Sequence, residues 1–265
     1  MITFEELIEA TGTPRITDLD TSAFSPRDIV NIMLQRSEII RDQRRPGKVV
    51  GAWVDNDEAP ALALVDKMGD ELARRAAAVI WLEYLELKPT LDAIAPTSVA
   101  DIGCGYAIFD LFLWQDFPGQ ILLIDLERSD ERHFGFRERG AAYSNLDVAK
   151  AFLTSNGVAN SDIVCRNPET ADLSDEPSVD LAVSFVSCGF HYPVELYMDF
   201  FEKGVASDGS VILDFRARKA RPGVKLLKTL GNVTMVTDAA YGNARRVWLQ
   251  KTNRQNIPEN RSGRR

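Results

Sequence analysis

The 265-residue sequence is short of several features that mark particular protein classes. It has three cysteines, Cys104, Cys165 and Cys188, an odd number without framework spacing. That argues against a secreted disulfide scaffold and for a reducing compartment. Histidine occurs only twice, and nothing has the spacing of a metal-ligand set. His133, with Asp130 and Glu131, reads as a charged helix start. Basic residues are outnumbered 31 to 39, for a formal charge of −8. Sustained nucleic-acid binding relies on neutralising phosphates with Lys and Arg, so such a partner is disfavoured. No apolar run is long enough for a membrane span, and the opening MITFEELIEATG is acidic and lacks a basic leader. Neither signal peptide nor membrane contact is expected, and the expected location is cytoplasmic.

What is present suits a globular chain: 45% hydrophobic and 26% charged residues, enough for a sizeable core without staples. Three regions follow in order. Residues 1–88 read as a helical extension. A helix is expected from Ser25-Pro26, with Ser as N-cap and Pro in the first turn, closed by Arg44-Arg45-Pro46-Gly47. A long amphipathic helix is expected from Asp66 to Leu87, stopped by Pro89. Residues 89–252 form the expected core. Residues 253–265, with Arg254, Arg261, Arg264 and Arg265 among Asn, Pro, Ser and Gly, read as a disordered basic tail.

The core alternates short apolar runs with helical stretches. VADI (99–102), ILLID (121–125), DIVC (162–165), VDLAVSFV (179–186) and GSVILDF (209–215) read as buried strands. VTMVT (233–237) and RRVWLQ (245–250) form a closing hairpin turned at Tyr241, Gly242 and Asn243. Continuous apolar strands alternating with helices imply a parallel sheet with right-handed crossovers. The expected fold is therefore α/β: a Rossmann-like, doubly wound, mostly parallel seven-stranded sheet ending in an antiparallel hairpin.

The sharpest local signal is VADIGCGYAIFDLFL (99–113). A strand ends at Asp101-Ile102, a Gly103-x-Gly105 turn follows, and an apolar helix starts near Ala107. Glycine lets the backbone turn tightly against a ligand, and the helix start offers unpaired N–H groups. A dinucleotide site needs a third Gly or Ala three residues after Gly105, where this sequence has Ile108. Asp101 is also poorly placed beside a pyrophosphate and better suited to an ammonium and a sulfonium. Asp125 ends the next strand, placed to accept from both ribose hydroxyls, with Glu127 in reserve.

Asp101-x-Gly103-x-Gly105 followed by Asp125 resembles the first two signature motifs of class I S-adenosylmethionine-dependent methyltransferases, and the likeness runs to about residue 250. The resemblance implies that S-adenosylmethionine is the donor, that the glycine turn passes its methionine moiety and that Asp125 holds its ribose. Tyr106, Leu126 and Phe185 complete the implied cofactor set. The adenine falls to the third strand's end, Cys165-Arg166-Asn167-Pro168-Glu169, where Asn167 replaces the family's usual Asp. The loop Ser184–Pro193 borders the sulfonium and the acceptor in this family. His191 lies within it, bracketed by Gly189 and Pro193, either as the base for an acceptor hydroxyl or as a loop-fixing hydrogen bonder.

CGFHYP with Tyr197 is similar to the same loop in bacterial sugar O-methyltransferases. Phe190, Tyr192 and Tyr197 suit either a sugar or aryl acceptor or core packing. The implied activity is O-methylation of a small molecule. A catalytically silent binding protein and, more weakly, a nicotinamide-dependent oxidoreductase are the competing readings. The N-terminal helices read either as a lid, with Trp53 and the DNDEAP loop near the pocket mouth, or as a homodimer interface.

Overall fold

A computed structural model of the chain describes residues 2–126, 144–240 and 244–252. The hairpin turn at Tyr241–Asn243, the reserve acid Glu127, the Asp130, Glu131 and His133 group and the basic tail lie outside the described residues.

The first part of the chain is helical: α1 (Phe4–Thr11), α2 (Pro14–Thr17), α3 (Pro26–Gln35), α4 (Pro46–Val54), α5 (Ala59–Met68) and α6 (Asp70–Ile94). Ser25 caps α3 as expected, in a reciprocal capping box with Asp28 and with Pro26 in the first turn. Three boundaries differ from expectation. Pro46 opens α4 instead of sitting in a closing link, because a fixed proline φ suits a first helical turn. The helix expected from Asp66 to Leu87 is two helices, broken at Gly69, whose φ of 52° only glycine adopts readily. Pro89 does not stop α6, which runs on to Ile94. An interior proline forfeits one backbone hydrogen bond, roughly 3 kcal/mol in a regular helix. Leu87 and Leu91, buried on either side of it, hold the helix to the core and offset that loss.

The strands and their crossovers follow: β1 (Ser98–Ile102), α7 (Ile108–Asp116), β2 (Gln120–Ile124), α8 (Leu146–Ser155), β3 (Ile163–Arg166), β4 (Val179–Ser184), α9 (Met198–Lys203), β5 (Val205–Arg216), α10 (Ala220–Leu227), β6 (Gly231–Ala240) and β7 (Ala244–Lys251). They form one seven-stranded sheet in the order β3-β2-β1-β4-β5-β7-β6. Pairings are parallel from β3 through β5, and β7 alone runs antiparallel to its neighbours β5 and β6. The mostly parallel sheet with a terminal hairpin is the expected arrangement.

The pleat explains why these strands read as unbroken apolar runs. Val99, Ile121, Leu123, Leu181, Val183 and Ile212 join one buried cluster with α1–α8. Their chain neighbours Ala100, Leu122, Ile124, Ala182, Val211 and Leu213 join a second cluster with α9 and α10. Both faces are covered, so both faces are apolar. The N-terminal helices share the first cluster with the sheet, so their packing is continuous with the core. Among the described residues, no helix is long and apolar enough to cross a membrane.

Replacing Pro89 with Ala restores an N–H to α6 but also loosens the unfolded chain, an opposing effect of about 0.4–1 kcal/mol. The expected net result is a stabilisation of about 2 kcal/mol or a little more, measured by denaturant unfolding. An unchanged or lowered midpoint contradicts this account of α6.

Candidate functional site

In the parallel part of the sheet the strands deliver their last residues to one edge, where β1 and β4 pair side by side with crossovers running to opposite neighbours, β2 and β5. Ligands in open α/β sheets bind at such a switch point. Here lies a cavity of about 1450 Å³, lined by the β1–α7 turn, the tip of β2, the loop after β4, the segment after β3, and residues of α3 and α6.

The β1–α7 turn is built around two left-handed glycines, Gly103 at φ 79° and Gly105 at φ 59°. The Gly103 N–H donates to the Ile124 carbonyl at 2.7 Å, tying the turn to β2. Gly105 N–H donates to Asp125 Oδ2 at 2.8 Å, and Leu126 N–H donates to Asp125 Oδ1 at 2.7 Å. Asp125 thus holds the glycine turn in place from the tip of β2. A Cβ on Gly103 would sit 1.9 Å from Ser187 Oγ in the loop after β4, so turn and loop are in direct contact. Ala107 takes up a left-handed conformation at the start of α7, and Ile108 is buried where a dinucleotide site needs a small residue.

Asp101 is the last but one residue of β1, on the same sheet face as Val99. It is 4% exposed and lines the cavity, yet its Oδ1 has no hydrogen-bond partner. Asp110, from the first turn of α7, is 1% exposed and faces it. Burial, reinforced by the Asp110 carboxyl, pushes the Asp101 carboxyl well above its ordinary range. Burial likewise raises Asp110 to about 7, against the lowering effect of its contact with Asp101. Two ionised carboxylates would be two acceptors with no donor between them, so a shared proton satisfies the contact.

β4 ends at Ser184, two residues before the expected limit. The Ser184 hydroxyl donates to the Ile102 carbonyl at 2.6 Å and accepts from the Cys188 N–H at 2.9 Å, holding the loop to the β1 tip. Val186 then turns left-handed at φ 53°. For a β-branched residue this is a strained conformation, of the kind that clusters at functional sites. The His191 N–H donates to the Ser187 carbonyl at 2.8 Å, and the Ser187 and Tyr192 hydroxyls lie 2.8 Å apart. His191 is half-buried and lines the cavity with Phe190, Tyr192 and Tyr197.

Of the residues expected from sequence, Asp101, Gly103, Gly105, Tyr106, Asp125, Leu126, Phe185 and His191 all line the cavity. Tyr106 also has a structural tie: its hydroxyl donates to Asp28 at 2.9 Å and accepts from Asn31 at 3.0 Å, fastening the turn to α3. Asn167 is not among the lining residues. Its side chain accepts from the Glu169 N–H at 3.0 Å, shaping the turn that brings Pro168 and Glu169 to the wall. Trp53 is not at the mouth either. It is buried among the N-terminal helices, and Val50, one turn earlier, reaches the cavity.

Sequence reasoning missed one wall entirely. Arg36 makes a two-point ion pair with Glu83, at 2.9 and 2.8 Å, and Gln35 lies over Gly105. Arg246 is 2% exposed and makes a second two-point pair with the fully buried Asp214, both contacts at 2.8 Å. Its guanidinium stacks 4.5 Å from the Phe185 ring centroid, and Phe185 packs on Phe109. Register explains the meeting: Ser184, the last residue of β4, pairs with Leu213, and Asp214 pairs with Arg246, so Phe185, the first residue beyond β4, comes level with the Asp214–Arg246 pair of β5 and β7. A polar Asp in VILDF and an Arg in ARRVWLQ, both at buried strand positions, were the available signals.

Fold and cavity together define a doubly wound sheet with a large cavity at the carboxyl edge of its parallel strands. No family model matches the chain, and no curated protein matches it. Among solved structures, it is similar to a candidate O-methyltransferase of Nostoc punctiforme PCC 73102, at 14% identity over 68% of this chain and 58% of that one, TM-score 0.49. It is also similar to a ribosomal protein L11 methylase of Lactobacillus delbrueckii subsp. bulgaricus, at 19% identity over 59% and 71% of the two chains, TM-score 0.41. A third is human N-acetylserotonin methyltransferase in complex with SAM, at 9% identity over 68% and 54%, TM-score 0.45. The chain thus covers 58% of the Nostoc protein and 54% of the human one.

Folding holds Asp101 and Asp110 above their ordinary range near 4, so their contribution to stability is complete below about pH 4. It is lost as pH rises through the folded value, about 7 for Asp110. The ligand-free wild type should therefore lose more melting temperature between pH 5 and pH 8 than Asp110→Asn does. Parallel profiles contradict the assignment.

Proposed function

We propose that the chain is an S-adenosylmethionine-dependent methyltransferase that methylates a hydroxyl of a small molecule. The observation that carries this reading is the Gly103–Gly105 turn held by Asp125 next to the buried, unpartnered Asp101 oxygen. Such a cradle fits a ligand with positive charge at one end and a ribose at the other. A pyrophosphate would set further negative charge against Asp101, Asp110 and Asp125, which disfavours a nicotinamide cofactor.

The cavity exceeds the roughly 300–1,000 Å³ usual for one small ligand, so it has room for donor and acceptor together. When bound, the donor supplies an activated methyl group. What the chain must add is alignment, an effect that reaches roughly 7–11 kcal/mol when reacting atoms are held at attack distance. The Val186–Tyr192 loop, in contact with the glycine turn through Ser187, forms the side of the cavity suited to that task. His191 takes the acceptor's proton, a contribution of about 10²–10⁴-fold. Phe185, Phe190 and Tyr197 give the acceptor apolar contact, and Arg36, Glu83 and Arg246 give it polar contact. The N-terminal helices thus serve as acceptor wall. The net negative charge supports a small-molecule partner over nucleic acid.

Calorimetry should show S-adenosylmethionine and S-adenosylhomocysteine binding and NAD failing to bind; NAD binding in their place would overturn the proposal. Asp125→Ala removes a ribose partner and also frees the Gly105 N–H, so donor binding should weaken by at least about 1.5–3 kcal/mol. Unchanged affinity excludes Asp125 from the ribose role. In methyl-transfer assays over a panel of hydroxyl-bearing metabolites, His191→Ala should lower the rate about 10²-fold with donor affinity little changed. Normal turnover would leave His191 a loop-fixing residue.

A further inference from the structure

Asp101 and Asp110 are an unusual pair to find side by side. Both are nearly inaccessible, neither makes an ion pair among the described residues, and Asp101 Oδ1 and both Asp110 carboxyl oxygens have no partner at hydrogen-bond distance. A buried charge normally comes with a partner, since desolvation otherwise costs several kcal/mol. The cavity's Lys and Arg cations among the described residues are paired elsewhere, Arg36 with Glu83, Arg246 with Asp214 and Lys203 with Asp199. The other titratable groups facing the pair bring no positive charge: Asp125 from the β2 tip adds a negative one, and the Cys104 thiol in the turn is kept neutral by burial, which raises it well above its ordinary range. From α6, packed on α7, Tyr84 is engaged with Asp116 and Glu83 with Arg36. The pair thus lacks a cation, and Asp101 opens onto the cavity where a cationic ligand would enter.

Resting on the donor assigned above, we propose that Asp101 and Asp110 hold one proton between them in the ligand-free protein, and that binding of the donor's cationic end expels it to solvent. The incoming positive charge takes over the proton's place beside Asp101, which becomes a carboxylate. Asp110 is then a positioning residue: it never touches the donor, but keeps Asp101 protonated until the donor arrives. Donor binding accordingly tightens as pH rises, because less proton must be displaced.

The pair also has a consequence for selectivity. A neutral nucleoside offers nothing to replace the proton, so it binds with Asp101 still protonated and gains no ion contact. Discrimination for the charged donor is thus located at the end of β1, apart from the ribose contact at Asp125.

The test is titration calorimetry of the whole chain near pH 7 in phosphate and in Tris, buffers of different ionisation enthalpy, whose difference in heat counts protons. S-adenosylmethionine should release a substantial fraction of one proton, approaching about one as pH falls below the pair's ionisation. 5′-Methylthioadenosine, which keeps the nucleoside and lacks both the ammonium and the sulfonium, should release none. Release by S-adenosylhomocysteine equal to that of S-adenosylmethionine assigns the displacing charge to the ammonium, and a smaller release assigns it to the sulfonium; both outcomes support the proposal. Asp110→Asn supplies Asp101 with an amide donor, so Asp101 is ionised beforehand and the release should fall to near zero while binding persists.

S-adenosylmethionine binding without proton release, or equal release by 5′-methylthioadenosine, overturns the proposal. Full release by Asp110→Asn also overturns it, by placing the proton elsewhere. The wild-type comparison of the three ligands stands whether or not the variant folds. Failure of S-adenosylmethionine to bind at all would instead remove the donor assignment.

Discussion

The site depends on one contact, the Asp125 carboxylate at the tip of β2 accepting the Gly105 N–H. It fixes the β1–α7 turn against β2 and leaves the two left-handed glycines open toward the cavity. Glycine is needed for the conformation and, at Gly103, for the close approach of Ser187 from the loop after β4. Through Ser187 and Ser184 that loop is held to the tip of β1. Displacement of Asp125 would disturb the turn, the loop and the ligand cradle together.

Polar groups buried along this edge are the expensive part of the design. Asp214 with Arg246, and Glu83 with Arg36, are each satisfied by two-point pairing, whereas Asp101 and Asp110 have only each other. Buried ion pairs are at best weakly stabilising relative to apolar packing, so their concentration around one cavity points to ligand chemistry. The strained Val186, in the same loop as His191, agrees with that picture.

Much of this was readable from the residues. Apolar runs separated by helical stretches located all seven strands, because burial on both faces leaves a strong signal. The glycine turn and Asp125 were readable because few residue types fit a left-handed turn and a strand-tip acid. Helix boundaries were less so. Pro89 and Pro46 were misread because a proline's effect depends on whether packing holds the helix past it or a helix begins at it. Asn167 lies outside the cavity wall, its side chain turned to the Glu169 N–H, because sequence position gives a strand's end but not the direction of a side chain beyond it. The acceptor wall was invisible for a different reason: Arg36, Glu83, Asp214 and Arg246 meet through contacts 32 to 47 residues apart in the chain. No local pattern encodes such a meeting.

A crystal structure of the chain with S-adenosylhomocysteine tests the central claim most directly. The ribose hydroxyls should lie on Asp125, the methionine portion should pass Gly103 and Gly105, and the sulfur should face the Val186–Tyr192 loop. A nucleoside bound away from Asp125, or a crevice that accepts a pyrophosphate against the glycine turn, would contradict the account.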